Sequence, residues 1–165
     1  MQGSILQLFV HMAQPQRILE VGTFTGYSAI AMALAMQEGG EIHTIEYDDK
    51  YKEIIEQYVQ KAGVQDKINL HFGSGLEVIP QLEGAFDMVF IDADKINYSA
   101  YYDLIFDQVP IGGYIIADNV LADPFDIVPI VNQHNIDERI VLFVLFLLAV
   151  FLFVNAGVEI VGFKR

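Results

Sequence analysis

The chain has 165 residues, a net charge of −13 and 53% hydrophobic residues. Such a length suits one domain with a sizeable core, and the acidic balance disfavours a nucleic-acid surface, which needs a basic stripe. There is no cysteine, which excludes disulfides and thiolate metal sites and is compatible with a reducing, cytoplasmic setting. The opening Met-Gln-Gly-Ser lacks the basic region of a secretory signal. Residues 4 to 13 read as a helix with Ser4 a candidate N-cap, and Ile5, Leu8, Phe9 and Met12 fall on one face at helical spacing. Ile18, Leu19 and Val21 form a short apolar run with strand propensity, Gly22 and Gly26 bracket a turn, and Tyr27 to Met36 reads as a helix apolar nearly all round, ended by Gly39-Gly40. Strand two ends at Glu46. Tyr51 to Ala62 is amphipathic, with Tyr51, Ile54, Ile55, Tyr58, Val59 and Ala62 as its apolar stripe and Gly63 as the residue that ends it. Ile68 to Phe72 is strand three, followed by the loop Gly73-Ser74-Gly75. Phe86 to Ile91 is strand four, Tyr98 to Asp107 a helix, and Tyr114 to Ala117 strand five. Alternation of this kind predicts a doubly wound, mostly parallel sheet in a single domain over 1–165, with ligands at the carboxyl ends of the strands.

The strand–glycine turn–helix from Arg17 to Ser28 reads either as a ligand-binding corner or as an ordinary strand-to-helix turn. Its glycines allow close backbone approach, and the helix N-terminus offers free N–H groups. Phe24 stands where the dinucleotide fingerprint has its middle glycine, so pyrophosphate lacks a close approach. Glu46, at the end of the second strand, is placed to accept hydrogen bonds from ribose hydroxyls. A nucleoside without phosphates, beside an amino-acid-like group, suggests S-adenosylmethionine. Asp92, Asp118 and Asn119 follow adjacent strands, and oxygen ligands of this kind suit a hard cation, though solvated loop residues or helix caps are the plainer alternative. The histidines at 11, 43, 71 and 134 are scattered and read as packing or surface residues.

Three stretches together resemble the cation-dependent O-methyltransferases, the family of catechol and caffeoyl-CoA O-methyltransferases. They are Ile-Leu-Glu-Val-Gly-Thr-Phe-Thr-Gly-Tyr-Ser (18–28), Phe-Ile-Asp-Ala-Asp-Lys-Ile-Asn-Tyr (90–98) and Gly-Gly-Tyr-Ile-Ile-Ala-Asp-Asn (112–119), and the likeness runs from about Gln2 to Leu121. The resemblance implies a Rossmann-like class I methyltransferase fold whose last strand is antiparallel. It implies methyl transfer from S-adenosylmethionine to a hydroxyl of a small catechol-like acceptor, assisted by a divalent cation (magnesium first, calcium or manganese otherwise). By the same resemblance Asp92, Asp118 and Asn119 hold the cation, and Lys95 is the general base acting beside Asp92. The cofactor is held by Glu20, Gly22, Thr23, Tyr27, Ser28, Glu46, Ser74, Gly75 and Asp92. A homodimer is a further expectation. A cofactor-binding domain with little turnover and a nicotinamide-dependent oxidoreductase stand as alternatives.

The likeness weakens after Leu121. Family members carry more helices before residue 4, and a tryptophan and a glycine-lysine pair where this chain has Ala122, Asp123, Pro124 and Phe125. Residues 140–154 contain no polar side chain. They are short for a membrane span and long for one strand. The run reads as strand six turning into antiparallel strand seven, as a membrane-associated hairpin, or as an altered tail. Val158 to Arg165 reads as the final strand of the family.

Overall fold

The computed structural model describes residues 2–118 and 158–163. Asn119 and the apolar run 140–154 lie outside them. The element order is α1 (Gln2–Ala13), β1 (Arg17–Val21), α2 (Tyr27–Ala35), β2 (Glu41–Glu46), α3 (Lys52–Ala62), β3 (Ile68–Phe72), α4 (Gly75–Val78), β4 (Met88–Ile91), α5 (Tyr98–Phe106), β5 (Tyr114–Asp118) and β6 (Val158–Phe163). The strands form one sheet in the order β3-β2-β1-β4-β5-β6. β1 to β5 pair in parallel, and β6 runs antiparallel to β5 with a bulge opposite Ile115 and Ile116. The chain winds outward from β1 to β3, then returns to the other side of β1 for β4 and β5. The β1–β4 boundary is therefore the switch point at which ligands enter this kind of sheet.

Alternation along the strands supplies two apolar layers. Ile18, Ile42, Met88, Phe90 and Ile116 face α1, α2 and α3. Leu19, Val21, Ile45, Val89, Ile91 and Ile115 face α4 and α5. All four residues of β4 are buried, as a strand covered on both faces requires. Glu20 breaks the pattern: it follows Ile18 on the α2 side, yet its side chain is fully buried.

The helices are set by their small and apolar positions. α2 buries Ser28, Ala29, Ala31, Met32, Ala33 and Ala35. Lys67 closes its C-terminal end, Nζ donating to the carbonyls of Ala33 at 3.2 Å and Met36 at 2.8 Å, where the helix dipole favours a cation. α3 ends at Gly63 in the left-handed region, as its sequence predicts.

Several local expectations are corrected. α1 buries Gly3, Leu6 and Val10 rather than the face carrying Leu8 and Met12, which are exposed. Both faces are apolar, so spacing alone does not choose between them, and close approach over Gly3 decides. α3 buries only Ile55 and Val59, while Ile54 and Tyr58 stay half-exposed at the margin of its stripe. β4 starts at Met88, because the Phe86 N–H turns aside to the Gln108 carbonyl at 2.9 Å. The turn after Ser74 is the short helix α4. Among the described residues, no helix is long and apolar enough to cross a membrane.

Candidate active site

At the carboxyl edge of the sheet, above the switch point, lies a cleft of about 530 Å³ whose lining includes Gly22, Glu46, Ser74, Gly75 and Asp92. Gly22 leaves β1 with φ +101°, and a Cβ there would stand 2.2 Å from the Asp92 carbonyl oxygen. Only glycine lets β1 and the strand-four loop pass this closely. The turn is pinned on both sides: the N–H groups of Gly22 and Thr23 donate to the Ile45 carbonyl, and Asp92 N–H donates to the Val21 carbonyl.

Glu46 is buried at the end of β2, its carboxylate aimed by two backbone donors. Phe24 N–H reaches Oε2 at 2.7 Å and Asp48 N–H reaches Oε1 at 2.9 Å. Each oxygen keeps a further lone pair for a guest. Phe24 accepts a left-handed φ of +51° to make its contact, and its exposed ring packs edge-on against Tyr51 at 4.9 Å between centroids. A non-glycine residue held in this region beside a cleft marks local strain kept in place by its surroundings.

Beneath the turn lies Glu20. Thr44 Oγ1 donates to its Oε2, and Thr23 Oγ1 lies 2.5 Å from Thr44 Oγ1, so the carboxylate, two threonines and the glycine turn form one chain of contacts. Glu20 Oε1 has no hydrogen-bond partner. Burial pushes the Glu20 carboxyl up from 4.5 to about 7; the Ser28 and Thr44 hydroxyls oppose this, and the charges of Asp92 and Glu46 add to it.

Asp92 and Asp118 end adjacent parallel strands, one step past the pairs Ile91–Ala117. Gln2, from the first turn of α1, donates its amide nitrogen to Oδ2 of both, at 3.4 Å to Asp92 and more closely to Asp118. Partial desolvation raises the Asp92 carboxyl above its ordinary range, and the Gln2 donor pulls it back. Tyr98 donates to the Asp118 carbonyl at 2.9 Å, and burial followed by the Asp92 and Asp118 charges raises its phenol well above its usual range. Among the described residues, no group of three or more His, Asp or Glu is arranged to hold a metal.

The expected site residues therefore separate. Gly22, Glu46, Ser74, Gly75 and Asp92 share the cleft. Glu20, Thr23 and Ser28 are buried below it, the Ser28 hydroxyl beside Glu20. Tyr27 is 58% exposed and lines a separate groove between α1, α2 and α3, because the first residue of α2 projects toward Gly3 rather than over the turn. Lys95 is exposed on a 3-10 turn, Lys95–Asn97, outside the cleft lining. Asp94 bonds Tyr101 Oη at 2.6 Å and Asn97 Nδ2 at 2.5 Å. Tyr47, Asp94, Asn97 and Tyr101 complete the cleft, and sequence reasoning misses them. The seven-residue spacing of Asp94 and Tyr101 is a signal for that pair; nothing local points to Gln2. His43 and His71 form their own cluster on the sheet, Nδ1 to Nε2 at 3.0 Å with stacked rings, joined by Arg17 and Glu41.

A doubly wound sheet with a positive-φ glycine turn, an acid ending β2 and an open cleft above the switch point is the arrangement in which α/β proteins take ligands at the carboxyl edge of the sheet. Comparison with known proteins is more specific. A family model described as O-methyltransferase matches residues 1–145. Catechol O-methyltransferase of Niastella koreensis is 40% identical over 126 residues, covering 74% of this chain and 57% of that protein. Tricin synthase 1 of Oryza sativa subsp. japonica is 40% identical over 148 residues, covering 84% and 59%. The O-methyltransferase TomG from Streptomyces achromogenes, solved in complex with SAM, superposes with a TM-score of 0.71 at 35% identity over 74% of this chain and 59% of that one. The chain belongs to the O-methyltransferase family and has its Rossmann-like α/β fold. It spans less than three fifths of the length of these relatives.

Proposed function

We propose that the chain binds S-adenosylmethionine in the cleft over Gly22 and Glu46 and transfers its methyl group to a hydroxyl of a small catechol-like acceptor. The observation that carries this is the Glu46 carboxylate, held by the Phe24 and Asp48 N–H groups at the end of β2 beside the Gly22 turn. A fixed acceptor there suits the ribose hydroxyls, and the missing Cβ at Gly22 makes room for the methionine part. That the solved Bacillus cereus O-methyltransferase, 35% identical with a TM-score of 0.70, holds SAH supports the same reading. The antiparallel pairing of β6 with β5 supports the methyltransferase variant of the doubly wound sheet.

Asp92 and Asp118 fit a hard divalent cation, magnesium first: two carboxylate oxygens from adjacent strands converge on one point, now marked by a single amide nitrogen. Asn119 would join them. When bound, the cation would supply a lowered acceptor pKa and a bidentate anchor for vicinal hydroxyls, and the cofactor an electrophilic methyl. The residues do the rest. Asp92 and Asp118 orient the acceptor's hydroxyls toward the cleft, and Lys95, three residues beyond Asp92, takes the acceptor proton at Nζ. Proton removal is needed because a free phenol, with a pKa of about 10, is a poor nucleophile at neutral pH.

A second reading, cofactor binding with little turnover, is favoured by Lys95 standing exposed outside the cleft lining. Calorimetric titration with S-adenosylhomocysteine, with and without magnesium, followed by an acceptor screen against catechols, tests both. Micromolar binding with methylation of a catechol is the expected result. Binding without methylation of any catechol would leave the second reading, and absence of binding would refute both.

A further inference from the structure

We propose that Gln2 is an oxygen ligand of the divalent cation at Asp92 and Asp118, contributed from the first turn of α1; this rests on the cation reading above. Gln2 reaches these carboxylates from a third element, and its position is set by packing. Gly3 lies buried against Tyr27, where a Cβ would stand 2.7 Å from Tyr27 Oη, and Leu6 and Val10 bury the next turns of α1. The start of α1 is thereby fastened to α2, and the Gln2 side chain spans 116 positions of sequence to meet Asp118.

The amide nitrogen of Gln2 lies between Oδ2 of Asp92 and Oδ2 of Asp118. Two carboxylates brought to one point repel each other unless a donor or a cation stands between them. The amide meets that need in the form seen here. Rotating its terminal group by half a turn exchanges Nε2 for Oε1 with no change of shape. It then presents a neutral carbonyl oxygen to the point where the carboxylates converge. Hard cations take amide carbonyls alongside carboxylates, and magnesium needs several oxygens in near-octahedral array. One side chain thus serves both states, as donor without the cation and as ligand with it. The step is a ligand exchange with no bond made or broken in the protein, and a water leaves the cation as Oε1 arrives.

The test uses the whole 165-residue chain and reads metal binding rather than turnover. Terbium(III) luminescence sensitised by the neighbouring tyrosines reports the site, and displacement by magnesium gives the magnesium affinity. Gln2→Leu keeps the bulk and removes the oxygen; it should weaken magnesium binding about tenfold, the scale on which ligand-shell changes act. Gln2→Glu keeps an oxygen and adds charge; it should bind at least as tightly as the parent. Far-UV circular dichroism of both variants, matching the parent, confirms that α1 is intact, while metal-free melting temperatures below the parent's are expected from carboxylates left without their donor. Magnesium affinity in Gln2→Leu equal to or above that of the parent would overturn the proposal, since the amide would then only fill the metal-free site. A parent chain whose terbium signal is unaffected by magnesium or by Asp118→Asn would instead refute the cation reading itself.

Discussion

Glu20→Gln should flatten the dependence of stability on pH. The carboxyl is fully buried, and burial raises it from 4.5 to about 7. The folded chain therefore binds an extra proton between those values. Its contribution is full below 4.5, and stability is lost as pH rises through about 7. A tenfold difference in proton affinity between the folded and unfolded chain corresponds to about 1.4 kcal/mol, so linkage gives the parent a loss of about 2.5 kcal/mol between pH 5 and pH 8 from this one group. Glutamine has the same shape and no titration in that range. Its carbonyl can still accept from Thr44, while its amide NH2 falls where Oε1 has no partner. That unpaired donor adds a penalty of about 1–3 kcal/mol at every pH. The difference between the two proteins isolates Glu20, because Glu41 and His71, whose pKa values are also shifted, titrate in both. Urea unfolding at pH 5, 6, 7 and 8 measures it. The variant should gain on the parent by about 2.5 kcal/mol across the series. A difference that stays constant with pH would show that Glu20 is not an elevated acid, and the reasoning from its burial would fail.

Gly22→Ala should abolish S-adenosylhomocysteine binding and lower the melting temperature far more than Gly39→Ala. Both positions have positive φ, but the new Cβ at 22 meets the Asp92 backbone at 2.2 Å while that at 39 meets nothing within 4 Å. Backbone strain alone costs on the order of 1 kcal/mol, so equal melting temperatures in the two variants would contradict the close approach. Lys95→Ala should reduce methyl transfer by at least about a hundredfold while leaving cofactor affinity unchanged, the signature of a lost proton acceptor; single-turnover rates near those of the parent would remove Lys95 from the mechanism.

Features of the site that obey local rules are legible in the sequence. Three polar clusters follow apolar runs at the ends of β1, β2 and β4, and parallel topology brings strand ends together by construction. Gly22 and Glu46 can be read for that reason. Glu20 can be matched to a family motif, but its environment cannot be foreseen. An acid at an inward position of a strand signals nothing by periodicity; only Thr44 on β2 and Ser28 on α2 explain its tolerance. Tyr27 shows the opposite failure: adjacency to the glycine turn suggests a cofactor contact, yet helical geometry turns its ring toward α1. Gln2 has no local signal, since its partners lie 90 and 116 positions away. The buried face of α1 is ambiguous in sequence because both candidate stripes are apolar, and packing against α2 over Gly3 chooses between them.

The acids around the glycine turn bear on what the cleft admits. Glu20 lies below it, while Glu46 and Asp92 line the cleft, and the last two act on Glu20 in the same direction as burial. Lys95, on the 3-10 turn after the strand-four loop, stands outside the lining. The cleft therefore carries a negative field in a partly desolvated setting, where charges act more strongly than in water. A phosphate-bearing guest would enter against that field; a guest with a sulfonium and an ammonium would enter with it. On the proposed reading the field also attracts less once the methyl is transferred, because the sulfonium becomes a neutral thioether. On that reading the same acids would draw the methyl donor in and hold the demethylated product less tightly, and the positive-φ turn at Gly22 and Phe24 keeps Glu46 and Asp92 in register.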